Sequence, residues 1–215
     1  MIFHIITIFP ESFDSYLNGS ILARAIKNKK IQVKFYNPRD WAKDGKVDYK
    51  PYGGGPGMVM KVEPVVKAIQ KAVGRKKPAR REGGIKLIFL SPNGKLFDNA
   101  LAKKLSNKYK EVVIICGNYE GIDARVKKIF RAQEISIGNY VLTGGALPAM
   151  ILIDVIARQV EGVLNKKESL EENRVSSSEV YTRPEVFKYK NKNYRVPKIL
   201  LSGHHKKIEE WKRGE

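Results

Sequence analysis

The sequence predicts an α/β fold with a mostly parallel sheet and helices on both of its faces. Two observations support this prediction. Short apolar runs alternate with segments of helical period through residues 1–164, and the apolar runs are continuous instead of alternating with polar residues. A strand covered by helices on both faces carries apolar side chains on both sides. Alternation of strands and helices is typical of parallel sheets, whose strands need crossover connections.

The predicted elements follow one another in a regular order. Strands are predicted on the runs IFHIITIF, IQVKFY, IKLIFL, VVIIC and EISIG. Helices are predicted up to about residue 28, over about 63–73, over 99–108, after residue 121, and over the apolar stretch 146–157. In open parallel sheets, the loops that leave the carboxyl ends of strands form the ligand crevice. We therefore expect the functional site in these loops.

Composition predicts three segments along the chain. Residues 1–164 carry the strand and helix pattern of a single large domain, whereas residues 165–180 are polar and have no apolar period. The latter segment is typical of a flexible linker or lid. Residues 181–215 are predicted to be an ordered C-terminal segment.

The chain is strongly basic, with 41 Lys and Arg against 22 Asp and Glu and a formal net charge of +19. Nucleic acid is the leading partner, although ribosome or membrane-surface binding and a merely lysine-rich protein also fit. Cys116 is the only cysteine, so no intrachain disulfide can form. The start MIFHIITIFP is not typical of a signal peptide, and the apolar stretch is too short to span a bilayer. We expect a cytoplasmic protein.

Three glycine-bearing segments follow predicted strands: LSPNG at 90–94, CGNYEGID at 116–123 and SIGNYVLTGGALPAM at 136–150. Glycines let backbone groups approach a ligand closely, so these loops could build a pocket largely of main chain. Each loop alone is more typical of turn geometry. Together they predict a site for an adenosine-type cofactor. The dinucleotide and P-loop motifs, G-x-G-x-x-G and G-x-x-x-x-G-K-[ST], are missing, which disfavours those two enzyme classes.

The motifs resemble those of the bacterial tRNA (guanine-37-N1)-methyltransferases, members of the trefoil-knotted SPOUT class. PYGGGPGM and YVLTGG are the most specific, and LSPNG, CGNYEGID, YTRPEV and VPKILLSGHH extend the resemblance over nearly the whole chain. It implies a knotted S-adenosylmethionine-binding domain at 1–164, a homodimer, and methylation of N1 of guanosine 37 in tRNA. The family continues beyond WKRGE into a small C-terminal domain, so residues 181–215 are expected to be truncated.

The resemblance also implies which residues bind the ligands. The cofactor-binding residues are Leu90, Ser91, Pro92, Gly117, Tyr119, Glu120, Gly121, Ile137, Gly138, Tyr140, Leu142, Gly144 and Gly145. The residues near the target base are Tyr52, Gly53, Gly54, Gly55, Gly57 and Met58. The family's reported need for magnesium makes Mg²⁺ a second candidate cofactor. The pair His204 and His205 lacks Cys or acidic partners at zinc spacing, so no metal site is predicted there.

Methylation of guanine N1 requires a base for its proton and a cationic donor for the charge that develops on O6. The resemblance assigns the donor to Arg158, which could also be an ordinary charge at a helix end. It places the base at Asn173, whose amide cannot hold a proton. Either Glu172 or Glu171 supplies the carboxylate, or the base is lost. The alternatives are a weakened or inactive RNA-binding protein of this fold and a knotted methyltransferase with another RNA target.

Two basic segments are further candidates for contact with RNA. One, at 74–84, contains Arg75, Lys76, Lys77, Arg80 and Arg81, and the other is a predicted loop with Lys188, Tyr189, Lys190, Lys192, Tyr194 and Arg195. Cations with interleaved tyrosines suit phosphate contact combined with base stacking. A solvated surface loop fits each segment equally well.

Overall fold

A computed structural model of the chain describes residues 1–74, 84–164 and 179–213. The chain divides into two compact units, Met1–Leu164 and Asn165–Glu215. Most of the predicted linker, and the basic segment from residue 75 to residue 83, therefore lie outside the described residues. Within the described part of the chain, no helix is long and apolar enough to cross a membrane.

The first unit alternates strands with helices, as the apolar pattern predicts. In chain order its elements are β1 (Ile2–Ile6), α1 (Asp14–Leu17), α2 (Ser20–Lys27), β2 (Gln32–Tyr36), β3 (Asp48–Tyr49), β4 (Val59–Met60), α3 (Val62–Val73), β5 (Ile85–Leu96), α4 (Asn99–Lys108), β6 (Glu111–Ile115), α5 (Ala124–Phe130), β7 (Gln133–Ser136) and α6 (Ala146–Arg158).

Five of these strands form one sheet in the order β2-β1-β6-β5-β7. Every neighbouring pair in the sheet is parallel. The prediction of an α/β fold with a mostly parallel sheet is confirmed. Strands β3 and β4 lie outside this sheet and form a short antiparallel pair, which brackets the glycine loop at 52–58.

The core lies on both faces of the sheet, which explains the continuous apolar runs. Along β6, Val112 and Ile114 pack in a cluster with α1, α2, α4 and α6, whereas Val113 and Ile115 pack in a second cluster with α3 and α5. All four side chains are fully buried. Burial of such a side chain stabilises the fold by about 1.5–3 kcal/mol relative to exposure. The central strands therefore tolerate polar residues on neither face.

Local sequence explains where the helix α4 begins. The side chain of Asp98 accepts a hydrogen bond from the backbone N–H of Leu101 at 2.6 Å, so it caps a free donor of the first turn. Leu101, Ala102 and Leu105 then form the buried face. The prediction of a helix over 99–108 is confirmed.

Strand β5 differs from the prediction, which ended the strand at the loop LSPNG. The strand continues to Leu96, and its register against β7 shifts between Leu90 and Lys95, both of which pair with Ile135. Residues 91–94 bulge out of the ladder between these two pairings. The return requires a close approach, because a Cβ on Gly94 would lie 2.5 Å from the backbone nitrogen of Ile135. The loop is thus a bulge within one long strand.

The second unit contains β8 (Val186–Tyr189), β9 (Lys192–Arg195), α7 (Lys198–Leu201) and α8 (His205–Arg213). Strands β8 and β9 form an antiparallel hairpin, so the basic segment that was predicted to be a loop has regular structure. The rings of Tyr181 and Trp211 lie 6.2 Å apart. The hydroxyl of Tyr181 donates a hydrogen bond to Glu179 at 2.6 Å, which raises the pKa of that tyrosine.

Two leucines of α6 provide a test of the packing. Leu152 is fully buried against the sheet, whereas Leu147 is 52% exposed. We expect Leu152→Ala to lower the free energy of unfolding by about 2–5 kcal/mol, because it leaves a cavity in the core. The matched change Leu147→Ala should cost less than about 0.5 kcal/mol. Urea unfolding followed by circular dichroism measures both, and equal losses would contradict the described packing.

Candidate active site

One cavity, of about 260 Å³, lies where β6 and β7 end and β5 bulges. Its walls come from the three glycine-bearing loops and the first turn of α6, and all thirteen residues that the sequence predicts to bind cofactor line it. Six further residues complete the lining: Asn118, Ile135, Ser136, Val141, Thr143 and Pro148. These six lie within or beside the quoted motifs, so loop membership was the signal that could have found them. The structure brings the predicted set together, and its contact with cofactor stays a prediction.

Close backbone packing joins two of the loops. The N–H of Gly145 donates a hydrogen bond to the carbonyl of Gly117 at 2.7 Å, and Asn118 and Gly144 form a β-bridge. A Cβ on Gly145 would lie 2.6 Å from the Cα of Cys116, so only glycine fits there. Cys116 is buried, and burial raises the pKa of its thiol, as expected for a core residue.

The third loop is held by its own polar groups. The buried hydroxyl of Ser136 donates to the carbonyl of Gly138 at 2.9 Å and accepts from the N–H of the same residue at 3.2 Å. The hydroxyl of Tyr140 donates to the carbonyl of Ile137 at 3.2 Å. These bonds fix the loop at the cavity wall without using the outward backbone groups of the glycines that follow.

The chemistry of the cavity lining is apolar with few polar side chains. Leu90, Ile137, Leu142 and Pro148 contribute apolar surface, and Glu120 is the one ionisable acid among the lining residues. Backbone groups of the glycines provide hydrogen-bonding capacity. Such a lining suits a ligand with a flat apolar ring and hydroxyl donors, because walls of this kind exclude water and a few polar groups fix orientation. The residues present therefore fit an adenosine-type cofactor.

The glycine loop between β3 and β4 lies against this cavity. The N–H of Glu120 donates to the carbonyl of Met58 at 2.9 Å, and the N–H of Met60 donates to the carbonyl of Gly121 at 2.9 Å. Gly57 has a φ of +79°, and a Cβ there would lie 2.4 Å from a carboxylate oxygen of Glu120. Glycine is required for both reasons. Residues 52–58 do not line the cavity, but they are joined to the loop that does.

The side chain of Tyr52 is fully exposed at the outer end of the glycine loop. The predicted substrate residues Gly53, Gly54 and Gly55 follow it, each with positive φ. The predicted substrate segment thus forms an open extension beside the cavity. Contact with a target base stays a prediction.

Arg158 lies at the far end of the helix that starts at the cavity. It is the last residue of α6, whose first residue is Ala146, and it does not line the cavity. At a rise of 1.5 Å per residue, the two ends of α6 are about 18 Å apart along the axis. The Nε of Arg158 is buried and has no hydrogen-bond partner among the described residues. An unpaired donor of this kind is unlike the ordinary solvated charge that was the alternative interpretation.

The remaining predicted catalytic residues, Asn173, Glu172 and Glu171, lie outside the described residues. The structure therefore places neither the base position nor its substitutes. His205 begins α8 and His204 precedes it. Across residues 1–74, 84–164 and 179–213, no group of three or more His, Cys, Asp or Glu residues could hold a metal ion.

Comparisons with known proteins point to one family. The protein family described as tRNA (Guanine-1)-methyltransferase TrmD matches residues 1–215. A tRNA (guanine-N(1)-)-methyltransferase of Clostridioides difficile is 44% identical over 221 residues, covering 100% of this chain and 92% of the relative. One of Carboxydothermus hydrogenoformans is 45% identical over 215 residues, covering 97% and 80%. A crystal structure of tRNA (m1G37) methyltransferase from Aquifex aeolicus matches with a TM-score of 0.79 and 38% identity, covering 100% of this chain and 88% of that one.

Two glycines in contact with each other test the close packing at the cavity. We expect Gly145→Ala to lower the free energy of unfolding by about 1–3 kcal/mol, because its Cβ would collide with backbone. Gly117→Ala is the matched control, since its Cβ would lie 3.6 Å from the nearest atom, on Ile122. Urea unfolding without added ligand measures both variants. Equal stability of the two variants would contradict the geometry.

Proposed function

Since the chain belongs to the tRNA (guanine-N1)-methyltransferase family, we propose that it transfers a methyl group from S-adenosylmethionine to N1 of guanosine 37 in tRNA. The observation that carries this proposal is the single cavity lined by all thirteen predicted cofactor residues. The net charge of +19 supports a polyanionic substrate. The alternatives, an inactive RNA-binding protein and an enzyme with another RNA target, are not favoured by these relatives.

The cavity supports binding of the cofactor through a few named groups. Bound S-adenosylmethionine supplies an electrophilic methyl group on a sulfonium. Leu90, Ile137 and Leu142 would flank the adenine ring, because flat apolar rings pack well between aliphatic side chains. The carboxylate of Glu120 would accept hydrogen bonds from the ribose hydroxyls. Backbone groups of Gly144 and Gly145 would complete the polar contacts.

The chain's own residues have two tasks in the reaction. As the guanine N1 bonds to the methyl carbon and the sulfur–carbon bond breaks, a base must take the N1 proton and a donor must stabilise the charge on O6. Arg158 is the proposed donor. Its buried Nε has no partner among the described residues, and an unsatisfied buried donor costs about 1–3 kcal/mol. An acceptor on the substrate would relieve that cost.

The position of Arg158 supports a homodimer. About 18 Å of helix separate it from the start of α6 at its own cavity, so the arginine would act in the cavity of a second copy. Side chains beside the cavity could form the contact, since Tyr140, Val141 and Leu147 are 52%, 82% and 52% exposed. The resemblance further supports a deep trefoil knot in this unit. It also supports a role in tRNA processing in the cytoplasm, with Mg²⁺ as a second cofactor.

The base is proposed to be a carboxylate close to Asn173. An amide cannot hold the proton, whereas Glu172 or Glu171 could do so after a shift of one or two residues along the loop. Loss of the base is the competing proposal. The intact cavity loops favour the first, because they retain the whole predicted cofactor set.

The reaction is tested with labelled S-adenosylmethionine and unmodified tRNA that has guanosines at positions 36 and 37. We expect one methyl group on N1 of guanosine 37. Glu172→Gln or Glu171→Gln should lower kcat by about 10²–10⁴-fold, the usual contribution of a general base. Unaffected rates in both variants would refute the substitute carboxylate. A gain of activity in Asn173→Asp would then identify the lost base.

The role of Arg158 is tested by turnover and by mixing of subunits. Arg158→Ala should lower kcat by about 10²–10³-fold, as removal of a donor to a developing charge does. The cofactor Kd should not change. Arg131→Ala, at the exposed end of α5, is the matched control.

Mixed dimers decide which cavity the arginine serves. Neither Arg158→Ala nor the cavity variant Glu120→Ala should be active alone. If Arg158 acts in the partner's cavity, a mixed dimer contains one complete site, and activity reappears on mixing. If it acts in its own cavity, both sites stay incomplete and mixing restores nothing.

A further inference from the structure

The hairpin formed by β8 and β9 presents two chemically different faces. In its register Phe187 lies opposite Tyr194, and Tyr189 lies opposite Lys192. Residues that pair directly, and residues two apart on one strand, share a face of a sheet. One face therefore carries Phe187, Tyr189, Tyr194 and Lys192, and it is called the aromatic face below. The opposite face carries Val186, Lys188, Asn193 and Arg195.

The aromatic face is open in the described protein. Phe187, Tyr189 and Tyr194 are 57%, 56% and 55% exposed, and seven of the eight strand residues are exposed. An isolated two-stranded hairpin is marginally stable in water, because it has no core of its own. Three neighbouring aromatic side chains on such a hairpin indicate a surface that a partner covers.

The charges of the hairpin select the chemistry of that partner. Lys188, Lys190, Lys192 and Arg195 lie within ten residues that contain no Asp or Glu. Lys190 occupies the two-residue turn with a φ of +52°, and its ammonium lies 5.7 Å from the ring centroid of Tyr189. Cations beside open aromatic rings match a polyanion with flat bases, since the cations contact phosphates and the rings stack. A lipid surface or an acidic peptide would use the cations and leave the stacking capacity unused.

We propose that this hairpin is an RNA-docking surface for unpaired nucleotides of the tRNA substrate. Bases stack on the aromatic face, and Lys188 and Arg195 on the opposite face contact the flanking phosphates. Unpaired bases are required, because a base inside a duplex offers no free ring face. The inference rests on the proposed function, because the RNA it docks is the RNA that is methylated.

Two double variants test the two faces. Tyr189→Ala with Tyr194→Ala removes stacking, and Lys188→Gln with Arg195→Gln removes phosphate contacts. Leu201→Ala is the matched control for the first, since Leu201 is 50% exposed in the same unit. Lys206→Gln with Lys207→Gln, on exposed residues of α8, is the control for the second. Circular dichroism and S-adenosylmethionine binding should match the wild type in all four.

The RNA probes are the anticodon stem-loop of the substrate tRNA and a duplex in which the loop nucleotides are paired. The aromatic double variant should raise the Kd for the stem-loop by about tenfold, the scale of lost stacking on one or two bases, and leave the Kd for the duplex unchanged. The cationic double variant should lower the slope of log K against log salt by about 1.4, or 0.7 for each phosphate contact to a single strand.

Three outcomes would overturn the inference. The aromatic variant could bind the stem-loop as Leu201→Ala does, it could lose duplex affinity equally, or it could lower the oligomeric state of the RNA-free protein in sedimentation. Crosslinking provides a second readout that does not depend on loss of function. A photoreactive phenylalanine analogue at position 187 should join loop nucleotides, and crosslinks confined to the stem would also overturn the inference.

Methyl transfer by the wild type, measured on the same stem-loop, separates this inference from the proposed function. Failure of the wild type to methylate the stem-loop overturns the proposed function. Full wild-type activity together with unchanged RNA binding in the aromatic variant overturns the docking surface alone.

Discussion

The contact between Gly145 and the strand end at Cys116 determines much of the geometry of the first unit. The N–H of Gly145 donates to the carbonyl of Gly117 at 2.7 Å, and there is no room for a side chain between the two segments. This contact brings two glycine-bearing loops together and fixes the start of α6. The cavity, its main-chain polar groups and the direction of the helix toward Arg158 all follow from it.

The parts of the fold that local sequence controls were predictable. Continuous apolar runs identified the strands because both faces of the sheet are buried, and Asp98 with its apolar period identified α4. The cavity was predictable for a similar reason, since the loops after parallel strands meet at one edge. Its residues needed the family resemblance in addition, because glycine alone does not distinguish a site from a turn.

Features that depend on distant partners were not predictable from local patterns. The continuation of β5 past Leu90 depends on its approach to Ile135, more than forty positions along the chain. The hairpin of the second unit has no buried face and hence no alternation of apolar and polar residues, and its turn uses Lys190 where glycine or asparagine would be expected. Such elements become visible only when the pairing is known.

The helix α6 also acts as a spacer of fixed length between the cavity and Arg158. Insertion of one residue into an α-helix turns everything beyond it by about 100° and moves it by about 1.5 Å. Most single substitutions on the exposed side of α6 would leave this relation intact, whereas any insertion or deletion within it would point the arginine in a different direction. The number of residues in α6 is thus under a stricter constraint than the identity of its exposed side chains.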